Sequence, residues 1–150
     1  MRNINDFKFR GYDTEYENMT YFDDEDYLLS YGQILRSKIE WNYDYDEEII
    51  GYENVNNKII LMQYTGLKDE NGKEIYEGDI IEFSYDMFVG NFDTFIAKGV
   101  VVFDEGAFYV ELLENERTTK DESYLLYSIN LDTIEVIGNK FENPELLGGE

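Results

Sequence analysis

Two residue types are missing from this chain: it has no cysteine and no histidine, and its single proline is Pro144. Without cysteine there are no disulfides and no thiolate zinc site. Without histidine the commonest acid–base group at neutral pH, the usual triad base and the commonest transition-metal ligand are all gone. Positive charge is scarce as well. Twelve Lys and Arg stand against 34 Asp and Glu, for a formal net charge of −22. A surplus of that size repels phosphate backbones and anionic lipid, so direct binding to nucleic acid or a membrane surface is disfavoured. Basic proteins and cations are the favoured electrostatic partners, while solubility and self-repulsion are the plainest use of the charge. No run of apolar residues approaches the roughly 18 that a membrane span needs, and the opening "MRNINDFKFRGYD" lacks a signal peptide's apolar core. The expected location is the cytoplasm.

What is present suits a folded protein. The 150 residues are 43% apolar and include 14 Tyr, 10 Phe and 1 Trp, enough to bury a core despite the charge. No repeat and no Pro- or Ser-rich linker divides the chain. One domain over residues 1–147, with 148–150 ("GGE") as a flexible tail, is the expectation.

"FKFRGYD" and "NMTYF" alternate aromatic with polar residues and predict two short strands with a turn near Glu15–Asn18. In "DDEDYLLSYGQILRSKIEW" the apolar residues fall at 27, 28, 31, 34, 35 and 39. That spacing is closer to a helix than to alternation, with Asp23, Asp24 or Asp26 as its cap. Gly32 and the aromatic content leave a pair of strands as the alternative. "NYDYDEEIIGYENVNN" reads as a variable loop or an exposed strand pair. Strands are predicted at Lys58–Tyr64 and Asp79–Tyr85. A hairpin follows, with arms near 95–103 and 107–113 joined at "DEG", where Gly106 takes positive φ. "SYLLYSI" and Thr133–Asn139 supply further strands. "ENPELL" predicts a short helix capped by Asn143, with Pro144 at its first position and Glu145 in its first turn. The fold class is mainly β, a small pseudo-barrel or a coiled, bifurcated sheet with minor helical additions.

The stretch "TGLKDENGKEIYEGDII", Thr65 to Ile81, reads as a corner of that fold. Asn71-Gly72 is a strong turn signal and Gly78 turns the chain again. Ile75 and Tyr76 anchor the loop on the core, and the acids are expected mostly to face solvent.

Three pieces of the chain carry a family resemblance. "LMQYTGLKDENGKEIYEGDII" (Leu61 to Ile81) resembles the central signature of the YopX family of phage and prophage proteins. "KFRGYDTEYENMTYF" (Lys8 to Phe22) is similar to that family's opening, and "IEVIGNKFENPELL" (Ile134 to Leu147) to its ending. The order is right, although Gly11-Tyr12 stands where Ala-Trp is expected and residues 23–57 match no family pattern. The resemblance implies an all-β core of coiled sheet with small helical additions, a phage or prophage setting, residence in the host cytoplasm and assembly as a homo-oligomer. It brings no activity and no catalytic residues.

Chemistry sought in the sequence finds little footing. With 34 acids, carboxylate pairs are inevitable, and nothing distinguishes a catalytic pair. "DYDEEIIGYE", Asp44 to Glu53, starts like a calcium loop but has Ile49 where an EF-hand requires Gly. Weak relief of repulsion by Ca²⁺ or Mg²⁺ is compatible with such clusters. Nucleotide-binding glycine motifs are absent, and Ser84, Ser123 and Ser128 have no histidine to activate them. The expectation is a non-enzyme with no catalytic residues, no cofactor and no dedicated metal site.

Two uses remain. In the first, the protein is an acidic nucleic-acid mimic that blocks a basic host protein of defence or replication. Outward carboxylates on one strand face repeat every ~6–7 Å, comparable with phosphates along a strand. The residues nominated are Asp23, Asp24, Glu25 and Asp26, then Trp41, Tyr43, Asp44, Tyr45, Asp46, Glu47 and Glu48. If 40–48 is a strand, Trp41, Tyr43 and Tyr45 share one face, and Asn42, Asp44 and Asp46 the other. In the second, a structural or regulatory homo-oligomer uses aromatic surfaces for self-association or small-ligand binding.

Overall fold

A computed structural model describes residues 8–22, 26–41, 43, 44, 46–88, 90–113 and 122–148, the backbone alone at 87 and 88. Its secondary structure is overwhelmingly strand: twelve strands and three single-turn 3₁₀ segments, Leu126–Ser128, Leu131–Thr133 and Pro144–Leu147, occupy the described residues. Among them no helix is long and apolar enough to cross a membrane. The chain divides into two compact units, Lys8–Met62 and a second that begins at Gln63.

The first unit opens with the expected pair of strands, β1 (Phe9–Asp13) and β2 (Asn18–Tyr21), antiparallel with Tyr12 opposite Met19. β1 lies beside the start of β6 (Ile59–Lys68), the strand that carries the chain on into the second unit. Between them β3 (Tyr27–Ser30), β4 (Gln33–Trp41) and β5 (Glu47–Asn54) form a three-stranded antiparallel sheet. A small core of Tyr27, Ile34, Val55 and Ile59, with Phe22 packed edge-on to Tyr27, holds this unit.

Asp23 and Asp24 lie outside the described residues. Where the spacing favours a helix and leaves a pair of strands as the alternative, the described residues from Tyr27 onward form a β-hairpin. Its apolar residues come in neighbouring doublets, and the hairpin sends one member of each to either face: Leu28 lies opposite Leu35, and Leu29 opposite Ile34. Tyr31 (φ +49°) and Gly32 (φ +73°) make the two-residue turn, both left-handed, as strand twist requires. Asp26, nominated as a helix cap, instead lies just before β3, and its carbonyl accepts the Ser37 N–H at 2.7 Å.

The second unit is built on a five-stranded antiparallel sheet in the order β11-β10-β9-β8-β12, curled into a half-barrel. Its strands are β8 (Asp79–Phe88), β9 (Phe92–Asp104), β10 (Ala107–Leu112), β11 (Ser123–Leu125) and β12 (Glu135–Asn139). One face gathers Ile81, Phe83, Ala97, Val101, Val110, Leu112 and Val136, and the segment carrying Leu126 and Ile134 closes over it. The expected hairpin is β9–β10. Asp104 pairs with Ala107, so Glu105 (φ +46°) and Gly106 (φ +84°) are its whole loop. At Gly99 the two strands approach so closely that a Cβ would meet the Glu111 carbonyl oxygen at 2.7 Å and overlap Val110.

The Thr65–Ile81 stretch is the corner it was read to be, with β7 (Glu74–Tyr76) pairing back onto the later part of β6. Ile75 and Tyr76 are buried, as expected. Two of the acids depart from the expectation of solvent exposure. Asp69 is buried, with one oxygen accepting the N–H groups of Asn71 and Lys73 and the other that of Val136 on β12. Asp79 is buried too, and accepts the Tyr76 N–H at 2.8 Å. These carboxylates fill the hydrogen-bonding demands of a tight turn, which an apolar side chain cannot do. At the far end "PELL" is a single 3₁₀ turn. Asn143 does not cap it, because its Oδ1 accepts the Asn139 N–H at 3.2 Å instead.

Candidate partner-binding surface

The β3-β4-β5 sheet presents two contrasting faces. Alternation along β4 puts Ile34, Arg36 and Lys38 on one side and Leu35, Ser37, Ile39 and Trp41 on the other. Register assigns the neighbours: Tyr27 and Glu53 flank Arg36, while Leu28, Tyr52 and Ile49 stand opposite Leu35, Ser37 and Ile39. Between Lys38 and Ile39 a bulge leaves Ile50 as the extra residue of β5.

The face of Arg36 is organised by ion pairing. Asp13, at the end of β1, is fully buried and accepts four bonds: from the Glu15 and Tyr16 N–H groups, the Tyr27 hydroxyl (2.8 Å) and Arg36 (3.2 Å). Arg36 also donates to Glu15 (2.7 Å) and, through two nitrogens, to Glu53, and the Tyr16 ring lies across it at 4.5 Å. Lys58 reaches Glu15 at 2.9 Å. Burial pushes the Asp13 carboxyl up, but the Tyr27 hydroxyl, the two N–H groups and Arg36 outweigh it and hold it below the usual carboxylate range. Lys58 and then Arg36 lower Glu15, and Arg36 lowers Glu53. The Tyr27 hydroxyl is pushed up to about 12 by burial and then by Asp13. Lys58 is raised by its bond to Glu15.

A hollow of about 570 Å³ borders this cluster, lined among others by Tyr16, Asp26, Tyr27, Arg36, Lys38 and Glu53. Four of the five guanidinium donors are already committed to carboxylates, so Arg36 has little left with which to hold an anion. The cluster ties the turn after β1 to β3, β4 and β5. Among the described residues no three His, Cys, Asp or Glu side chains are placed to hold a metal ion.

The opposite face is apolar and open. Leu28, Ile39, Trp41, Ile49 and Tyr52 are all exposed, Trp41 to 67%, and Leu35 is half-buried between them. Together they make an exposed apolar patch on one sheet face, a clustering that scattered surface apolar residues do not show. At its end Glu47 begins β5 opposite Trp41 and shares this face, while Glu48 and Glu40, opposite each other, alternate to the face of Arg36. Beside them a hollow of about 310 Å³ is lined by Glu40, Trp41, Tyr43, Glu48 and Ile50.

Of the nominated residues, Asp26, Trp41, Tyr43, Asp44, Asp46, Glu47 and Glu48 are exposed. Asp23, Asp24, Glu25 and Tyr45 lie outside the described residues. The strand imagined through 40–48 ends at Trp41, and Tyr43 and Asp44 sit in the turn between β4 and β5. The structure thus brings Trp41, Tyr43 and Glu48 to one hollow, while Glu47 and Glu48 point to opposite faces. The Asp13–Arg36 cluster was not nominated. Its signal was Arg36 two places after Ile34 in a strand, a cation on a core-facing position that demands carboxylate partners.

Known proteins resemble the chain along nearly all its length. Residues 8–148 match the family described as YopX protein. The crystal structure of protein EF1440 from Enterococcus faecalis is similar over 94% of this chain and 97% of that one, with 30% identity and a TM-score of 0.55. That of protein yopX from Bacillus subtilis covers 95% of this chain and 97% of its own, with 25% identity and a TM-score of 0.51. No curated protein matches.

Proposed function

This chain belongs to the YopX family, and from that footing we propose that it is a non-enzymatic binding protein that engages a basic partner through the open face of β3-β4-β5. One observation carries the reading. A contiguous apolar sheet face, centred on Ile39, Trp41, Ile49 and Tyr52, is exposed, with Glu47 at its end and Glu40 and Glu48 alternating to the reverse side there. An apolar centre with a polar rim is the anatomy of a protein interface. The net charge of −22 selects a basic occupant and speeds its capture at low salt. In the phage or prophage setting that the family resemblance implies, such a partner is a host protein whose basic groove otherwise holds DNA or RNA, and the acidic rim competes with phosphate for it.

Self-association is the second reading, favoured by the same apolar face. Salt separates the two. Screening weakens a complex with a basic partner, but it relieves repulsion between like-charged copies and strengthens an apolar contact. The test immobilises the chain and challenges it with host lysate across a salt series, beside Trp41→Ala and the set Asp44→Asn, Asp46→Asn, Glu47→Gln, Glu48→Gln. Recovery of one basic protein at low salt, lost in both variants and displaced by DNA, is the expected result. Recovery of no basic protein, together with light scattering that shows a larger species at high salt, would replace it with self-association.

A further inference from the structure

The second unit holds a hollow of about 520 Å³ that neither the core nor the proposed interface uses. It arises where the covering segment stops short. β8 and β9 carry their apolar row outward from Ile81 through Phe83 to Tyr85, with Ala97 opposite Phe83 and Phe95 opposite Tyr85. Leu126 and Ile134 cover the inner part of that row. Past Phe83 the sheet face is left open, floored by Phe83 and Tyr85, whose rings are 6.2 Å apart. Tyr124 of β11 and the segment from Ser128 to Thr133 form the walls.

The hydrogen bonds already made around the hollow decide what it can take. A hydroxyl has one proton and two lone pairs. Ser128 spends its proton on the Leu125 carbonyl at 2.7 Å, and Thr133 on the Asn130 carbonyl at 2.8 Å. Both are left as acceptors. Asp86 alternates to the other side of β8 from Tyr85 and borders the hollow at the strand edge that β12 leaves open past Glu82; it receives the Thr94 hydroxyl on Oδ1 at 2.7 Å, and its other oxygen is also an acceptor. No Lys or Arg lines the hollow. Three aromatic rings and one carboxylate, with no Lys or Arg among them, favour positive charge; the Ser128 and Thr133 oxygens accept N–H groups, while the Ser84 and tyrosine hydroxyls and the Asn130 amide add donors of their own. Anions are repelled by the carboxylate and by the net charge of −22.

We propose that this hollow is a binding site for a small alkylammonium cation, the chemistry of a diamine or polyamine. Its ammonium N–H groups meet Asp86, Ser128 and Thr133, and its methylene chain lies on Phe83 and Tyr85. Its residues all belong to the second unit, and those of the partner surface to the first.

The test titrates 1,5-diaminopentane into the full chain and follows the tyrosine ring signals by NMR. Diffuse attraction of cations to an acidic protein is the competing outcome, so Asp86→Asn is compared with Glu17→Gln, which removes the same charge at an exposed position of the first unit. Saturable shifts of Tyr85 and Tyr124, weakened about tenfold or more by Asp86→Asn and unchanged by Glu17→Gln, are expected. Equal weakening in the two variants, or no saturation, would overturn the site. So would saturation by methyl glucoside with none by the diamine. Tyr124→Ser is a second probe at an exposed position, and if it fails to fold the Asp86→Asn comparison decides alone.

Discussion

Arg36 gathers side chains that are distant in sequence: Asp13, Glu15 and Glu53 accept its N–H groups, and Tyr16 lies across its plane. Asp13 and Arg36 are buried, so neutralising Asp13 leaves the guanidinium short of a charge in a place where water cannot replace it. Asp13→Asn is expected to cost about 2–3 kcal/mol in urea unfolding at neutral pH. Tyr27→Phe, which deletes a single 2.8 Å bond to the same carboxylate, is expected to cost about 1–2 kcal/mol. The pH dependence has two limbs. Asp13, Glu15 and Glu53 all have lowered pKa values in the fold. Their stabilisation is complete above the ordinary carboxylate range and is lost as pH falls through the lowered values. The deficit of Asp13→Asn relative to the parent should therefore shrink on acidification. Tyr27 behaves oppositely, since its pKa rises from 10.0 to about 12. Its contribution is whole below the unfolded value and fades as pH climbs through the folded one, a limb that Tyr27→Phe should abolish. A constant Asp13→Asn deficit across the acid range would show that the carboxylate's charge has no part in holding the cluster.

Among the elements, the β9–β10 hairpin separates two roles of glycine. Gly106 sits in a turn with open space around it, and Gly99 lies against a neighbouring backbone. Gly106→Ala pays only for left-handed backbone, about 1 kcal/mol, whereas Gly99→Ala must push β10 away and is expected to cost about 2–3 kcal/mol. Thermal unfolding of the two variants side by side measures the difference, and equal losses would mean that the strands part easily at Gly99. The turn at Gly106 was legible in "DEG", and the strand pair at the start of the chain and the strand near its end in their alternation. The Tyr27–Trp41 hairpin was misread because paired apolar doublets imitate helical spacing when the turn between them is only two residues long. The buried roles of Asp69 and Asp79 were not legible either. An acid in a turn looks the same in sequence whether its carboxylate meets water or the N–H groups of a distant strand, and Val136 is that distant partner. The candidate surface was legible in part. Trp41 and Glu48 do meet at one hollow, but the apolar stripe through Leu35, Ile39 and Trp41 needed the register of β3 and β5 to become a face.

On the scale of the whole molecule, charge opposes compactness. A chain at −22 repels itself over a Debye length that falls from about 30 Å to about 8 Å between 0.01 M and physiological salt. The Asp13–Arg36 pair is buried and is screened far less. The melting temperature is therefore expected to rise as NaCl is added, and a fall would show that surface ion pairs outweigh the repulsion. The open face of β3-β4-β5 has a practical corollary. Trp41 is the only tryptophan, and it lies on that face rather than in a core. The indole emission of the free protein should already resemble that of an unfolded chain, making it a poor gauge of denaturation. Any molecule that settles over β4 will desolvate this one fluorophore and move its spectrum to the blue, so the protein carries its own dye at the place where contact is expected.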